Sequence, residues 1–397
     1  MHVEKRTRSR VAQAVAASTG AIAAAFVITH GCGGGSSDSI FVDGFQGTRS
    51  KQLTVALTQL AESAIPGLYE SMRAELVELR DGASRFCAAP DEASLASLES
   101  DWLEAMATWA RARVIGFGPI RDENRNLRLH FWPDKNGNVS RAVQQLLARD
   151  TPLDAETISV QSVPAQGLSA LEFLLFDVPE GALAAYQDPE TAPRRCEMTT
   201  AITANLVRIA EETLAGWDRN GGNFADELAL AGQGSSTFAS RGDALEEILT
   251  GMITIATQTR DERIRAPLAP GSENGPRPNQ AEAHRSRKSL ELIAYTVEGL
   301  QTVYRGGEPR AEEFGLDNLL GETEQGELDL EIRDRFEEVI ETAGRVPVPL
   351  EEAVTTPEGR EQVEELLDAA TRMTRILEND LSIATGVIVG FNENDGD

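Results

Sequence analysis

The chain has 397 residues, room for two domains and an ample apolar core. Lys and Arg total 37 against 64 Asp and Glu, a formal charge of -27. So acidic a chain repels nucleic acid and anionic membrane surfaces, and it favours cations or basic partners weakly and in a salt-dependent way.

The first segment, "MHVEKRTRSR", is basic, and "VAQAVAASTGAIAAAFVITHG" after it is apolar and rich in Ala. A basic stretch, an apolar stretch and small residues in that order describe a secretory signal over residues 1–31. Cys32, followed by Gly and Ser, resembles a bacterial lipoprotein acceptor, with residues 32–47 as a flexible tether. A retained membrane anchor is the competing reading. Export would place the chain in the cell envelope, in the periplasm or on the outer membrane, touching a membrane only through a lipid on Cys32. Cys87 and Cys196 are the remaining cysteines. In an exported chain they point to one disulfide, which stabilises by roughly 4–5 kcal/mol for so long a loop. Two separately buried thiols are the alternative.

Helix signals dominate and strand signals are sparse. "TRSKQLTVALTQLAESAIPGLYESMRAELVELRDG" reads as one long amphipathic helix or two, with Pro66 as kink or break. "DEASLASLESDWLEAMATWARARVI" is the next, with Asp91 as its N-cap. "PDKNGNV" alternates Asp134, Asn136 and Asn138 as calcium loops do, but Val139 and Gln145 stand where such loops need Gly and Glu. It reads as a turn, with Asn138 capping the short helix "NVSRAVQQLLARD". A helix beginning near Ala165 carries "QGLSALEFLLFD", and "RCEMTTAITANLVRIAEETLAGWDRN" runs until "NGGN" stops it. The second half repeats the style in "RGDALEEILTGMITIATQTRDERIRAPL", "SRKSLELIAYTVEGLQTVYRG", "DLEIRDRFEEVIETAGRV" and "GREQVEELLDAATRMTRILENDLSIATGV". The expected fold is all-α, two helical bundles, over residues 48–225 and 238–397.

Several chemistries lack their motifs. The chain has four His, of which His2 and His30 lie in the signal, and neither His130 nor His284 has a second His one helical turn away. The common zinc-protease helix is therefore absent. There is no nucleophile elbow and no phosphate-binding Gly loop before a Lys-Ser/Thr pair.

"QGLSALEFLLFD" is different. Leu168, Leu171, Leu174, Leu175, Phe173 and Phe176 make a helix apolar nearly all round, which is a buried helix. Glu172 in it needs a cation, a metal or several hydrogen bonds, or it takes up a proton. Ser169, one turn before, shares its face. A structural ion pair of Glu172 with Arg111, Arg113 or Arg121 is the simplest reading.

"GLSALEFLLF" also resembles the Gly-x-His-x-x-Glu region of the imelysin-like family, insulin-cleaving metallopeptidases and their relatives in bacterial cell envelopes. "RLHFWPDKNGNVSRAVQQLL", "EAHRSRKSLELIAYTVEGLQTVYRG" and the closing "IVGFNENDGD" resemble further segments of that family, in the same order. The resemblance implies a two-bundle helical fold, export, and links to iron uptake or to proteolysis. Gly167 and Glu172 match the motif, while Ser169 holds the place of its His. A hydroxyl is a poor replacement for imidazole as a ligand of a divalent metal. The expectation is a binding protein that takes a divalent or ferric metal ion or a small ligand between the bundles, around Glu172. Arg113, Arg121, Asp122, Ser286 and Ser289 are its expected walls, and Glu172 with His130 its metal ligands. A metallopeptidase with Glu172 as general base, and a surface lipoprotein acting through protein contacts, are the alternatives.

Overall fold

The computed structural model describes residues 50–177, 181–307, 314–320 and 325–387. The signal, Cys32, the tether and "IVGFNENDGD" lie outside the described residues. All described residues belong to one compact unit, Gln46–Asp397, and no strand occurs among them.

The main helices are α1 (Ile65–Ala88), α2 (Glu92–Ala112), α3 (Asn138–Leu147), α4 (Leu168–Phe176), α5 (Ala192–Trp217), α6 (Arg241–Gln258), α7 (Ser289–Arg305), α8 (Gln325–Arg345) and α9 (Pro357–Arg375). The helix ahead of α1 is not broken at Pro66. It runs from residue 50 through a π-helical stretch, Leu60–Ala64, directly into α1. Pro66 cannot donate to the carbonyl of Glu62, and a widened turn at that point absorbs the missing bond without ending the helix. The same device recurs before Pro267, where Thr259–Arg265 is π-helical.

Local chemistry sets the helix starts. The Asp91 carboxylate accepts the Ser94 N–H at 2.8 Å, and Ser94 returns the bond to the Asp91 N–H. At α3 the expected cap on Asn138 is replaced by one from Asp134, whose two oxygens accept the N–H groups of Asn138 (2.7 Å) and Val139 (2.9 Å). Asn138 is already helical there, so its own side chain cannot serve as the cap.

One bundle is α1, α2 and α5, and the other is α7, α8 and α9 with α6 laid on α9. They meet where α2 crosses α7. A Cβ on Gly299 of α7 would lie 2.3 Å from the carbonyl oxygen of Arg111 on α2, so this crossing requires a glycine. One continuous apolar cluster runs through both bundles, and removing that area from water is the main stabilising term. Within it Trp102, fully buried on α2, donates to the Leu168 carbonyl at 3.0 Å and fixes the start of α4. The two cysteines form the Cys87–Cys196 disulfide, with Cα atoms 5.5 Å apart, joining the end of α1 to the start of α5. Among the described residues no helix is long and apolar enough to cross a membrane.

Candidate functional site

Helix α4 is buried along most of its length, as its composition requires. Gly167 precedes it because the backbone ending at Leu129 passes directly over that position. A Cβ there would sit 2.4 Å from the Leu129 carbonyl oxygen and 2.5 Å from that of Arg128. With α4 held so close, the Ser169 hydroxyl donates to the Phe131 carbonyl at 3.0 Å.

Glu172, 3% exposed, points from α4 toward the loop ahead of α7. One of its oxygens, Oε1, accepts the backbone N–H of Ser286 (3.0 Å) and lies 2.9 Å from the Ser286 hydroxyl, whose single proton it shares with the Ala283 carbonyl at 3.0 Å. The other, Oε2, lies 3.9 Å from a guanidinium nitrogen of Arg285, which is itself bonded to Asp177 at 2.9 Å. Burial pushes the Glu172 carboxyl above the usual carboxylate range, and the bonds from Ser286 and the charge of Arg285 pull it part of the way back. The ion pair expected from Arg111, Arg113 or Arg121 therefore comes from Arg285 instead. Arg111 is taken by Glu298 at 2.7 Å, Arg113 by Glu282, and Arg121 donates to the Gly116 carbonyl at 3.4 Å.

The loop carrying Ser286 is strained. Ala283 and Arg287 both have left-handed backbones, with φ of 53° and 61°. Such conformations cost non-glycine residues on the order of 1 kcal/mol each and persist where the surroundings fix them. Glu282, 2% exposed, is the fixing point. Its carboxylate meets Arg113 of α2 at 2.5 Å, Arg263 at 2.8 Å and His130 at 3.5 Å. Burial alone would raise the Glu282 pKa, but Arg113, Arg263 and His130 outweigh it and hold the group well below the usual range. Burial also lowers His130 to about 4, so this imidazole is neutral.

A third carboxyl completes the chain of contacts. The Ser289 hydroxyl is within hydrogen-bond distance of both the Glu282 carbonyl and Glu351 Oε1. A hydroxyl has one proton, and a carbonyl can only accept. When Ser289 donates to Glu282, the contact with Glu351 therefore requires a proton on Glu351. Burial pushes Glu351 up to about 7, with Glu172 adding to the rise, which agrees with that requirement.

Glu172, Ser169, His130, His284 and Arg285 line a pocket of about 30 Å³, enough for one species of a few atoms. His284, lowered to about 4 by burial and by Arg285, is neutral like His130. The two histidines that looked solitary in sequence thus face one pocket. Ser286 is bonded to Glu172, and Ser289 is linked to it through the loop. Arg113 stands behind, on Glu282. Arg121 and Asp122 lie elsewhere, in a cleft of about 830 Å³ that shares no lining residue with this pocket. Sequence reasoning missed Glu282, Arg263, Arg285 and Glu351. For Glu282 and Arg285 the only signal was the density of ionisable residues in "EAHRSRK", which carries no periodicity and so no sign of burial, and Arg263 and Glu351 lie outside that segment.

The donors at this pocket are already engaged within the protein. Glu172 Oε1 is occupied by Ser286, and Oε2 faces a cation. The Ser169 hydroxyl is committed to Phe131, and His130 meets Glu282 through its Nδ1. Among the described residues no group of three or more His, Cys, Asp or Glu converges to hold a metal ion. As arranged, these side chains do not form a coordination shell.

Comparison with solved structures gives the same fold. An imelysin-like protein from Psychrobacter arcticum 273-4 superposes with a TM-score of 0.71 at 21% identity, covering 86% of this chain and 98% of that one. A candidate iron-regulated protein A precursor from Parabacteroides distasonis ATCC 8503 gives 0.68 at 15% identity, covering 85% and 95%. No curated protein matches the chain. The model of the peptidase M75 family, imelysin, matches residues 65–377, and the chain therefore belongs to the imelysin family.

Proposed function

We propose that this protein is an exported binding protein of the bacterial cell envelope, with a secretory signal over residues 1–31, lipid attachment at Cys32 and bundles bounded at 48–225 and 238–397. It takes a polar ligand of a few heavy atoms in the Glu172 pocket. The observation that supports this reading is a buried, motif-bearing carboxylate held by a loop from the far half of the chain, beside two neutral imidazoles. With Oε1 held by Ser286, such a wall leaves Glu172 Oε2, two neutral rings and one guanidinium for a ligand recognised by hydrogen bonds. Iron uptake enters this reading through the family resemblance, and the Parabacteroides protein is named only as iron-regulated. The test is mass spectrometry and metal analysis of mature protein purified without added ligand, for the native chain and Glu172→Gln. A stoichiometric small molecule, absent from the variant, is expected. Stoichiometric iron, zinc or copper would replace this reading with a metal site. No bound species, or the same species in both proteins, would end it.

The family's peptidase branch gives a second reading, in which Glu172 is a general base. Burial moves its pKa upward, the direction a general base needs. The commitment of Oε1 to Ser286 and the Ser at position 169 argue against it. Chelator-sensitive hydrolysis of a denatured protein, abolished in Glu172→Gln, would establish it.

A further inference from the structure

The larger cleft, of about 830 Å³, is within the size range of small-molecule sites and has a different chemistry from the Glu172 pocket. Its floor is aromatic. Phe117 (4% exposed) and Phe238 (6%) flank Phe224, whose ring lies 6.3 Å and 6.2 Å from theirs. Phe224 also packs edge-on against the buried Trp217 at 5.1 Å. The backbone presses in at Gly118, where φ is +67° and a Cβ would lie 2.7 Å from the Phe224 ring. Only a glycine allows this wall.

Its rim is acidic. Asp122, Asp243, Glu246 and Glu247 line it against the single cation Arg121. Two of these acids are already engaged. Asp122 meets Arg125 at 3.2 Å, and Asp243 accepts the N–H and hydroxyl of Ser240 as a helix cap. Glu246 and Glu247 have no ion-pair partner among the described residues. A carboxylate pair above an aromatic floor in a concave site complements a ligand with a cationic head and an apolar body. The head gains charge from the rim, and the body gains from leaving water against the aromatic floor. A simple inorganic cation would use the rim and ignore the floor.

We infer that this cleft binds a small amphiphilic organic amine, with Glu246 and Glu247 receiving the ammonium and Phe117, Phe224 and Phe238 the apolar body. This inference is independent of the Glu172 pocket. The experiment is isothermal titration of the mature protein with phenethylammonium, with the uncharged 2-phenylethanol as its matched control. Saturable binding of the amine at one site, at least tenfold tighter than the alcohol, is expected. At least a tenfold loss is expected in Glu246→Gln/Glu247→Gln, an exposed and a half-buried position that both lie outside the apolar core. Glu172→Gln should bind the amine as the native chain does. Absence of saturation, equal binding of amine and alcohol, or undiminished binding in the double variant would each overturn the inference.

Discussion

Glu172 and Ser286 are 114 residues apart in the chain, yet the backbone N–H and the hydroxyl of Ser286 converge on one oxygen of the Glu172 carboxylate. This contact ties α4 to the loop that opens α7. Glu172→Ala would leave the Ser286 N–H without its acceptor and take a counter-charge from Arg285. A loss of about 2–4 kcal/mol is expected, because a stranded buried donor forfeits its full desolvation cost. Glu172→Gln keeps an acceptor at Oε1 and should lose about 1 kcal/mol. Urea denaturation of the mature protein measures both. An alanine variant within 0.5 kcal/mol of native (roughly the ordinary surface-mutation scatter) would show that the loop does not depend on this carboxylate.

The pH dependence on the alkaline side should come from Glu351, with Glu172, also raised by burial, acting in the same sense. The folded pKa of Glu351, about 7, lies above the ordinary 4.5. Between these values the folded state binds more protons than the unfolded chain. The stabilisation is therefore complete below the ordinary value and is lost as pH rises through 7, by up to about 1.4 kcal/mol per pH unit. His130 and His284 act in the opposite sense. Lowered to about 4 from 6.5, they give stability that is present above 6.5 and lost as pH falls toward 4. Melting temperatures from pH 4 to 8 should thus fall at both ends. Glu351→Gln, which can still donate to Ser289, should make the upper limb shallower, leaving the part that Glu172 contributes. A variant curve parallel to the native one would show that Glu351 does not titrate there.

Periodicity made the helices readable, and it did so because most of them bury one stripe, as α1 does with Leu68, Met72, Leu76, Leu79, Ala83 and Phe86. Glu172 was readable for the same reason, as a charge inside an apolar helix. Ser286 was legible only through the family resemblance, and the charged partner was not legible at all. Arg285 and Glu282 lie in a segment with no repeating pattern, whose burial arises from how it folds over α2 and α4. Arg113, named as a partner for Glu172, had the right character and a different acid. Nothing in the order of residues distinguishes Glu282 from Glu172 as its target, because both choices are set by the crossing of α2 and α7.

Glu282 should be the most sensitive charged position. Glu282→Ala would leave Arg113 and Arg263, 6% and 3% exposed, facing each other without a counter-ion. Breaking a buried pair from one side costs about 3–5 kcal/mol. Glu282→Gln keeps the shape and isolates the charge effect. If the alanine variant melts at the native temperature, the network does not support the fold, and the strained loop must be fixed by other contacts.

The disulfide closes a sequence separation of 109 between α1 and α5. Replacing Cys87 and Cys196 by Ser should lower the unfolding free energy by about 4–5 kcal/mol, through the freed unfolded chain. Equilibrium unfolding of the native and double-variant proteins, both without reductant, gives the difference directly. A gap under about 1 kcal/mol would mean that the unfolded chain is compact enough for the link to matter little.

Gly167→Ala tests whether the motif's glycine serves packing or a ligand. The added methyl would lie 2.4 Å and 2.5 Å from two backbone carbonyl oxygens, which have no side-chain freedom to retreat. The start of α4 must then move away from the segment ending at Leu129. Ser169, bonded to Phe131 one residue past His130, moves with it. A loss of about 1–3 kcal/mol is expected, as for other overpacked core positions. The same shift pulls Glu172 away from Ser286, so the variant should also lose whatever the Glu172 pocket retains on purification. A variant with native stability and an emptied pocket would instead place the glycine in direct contact with the ligand.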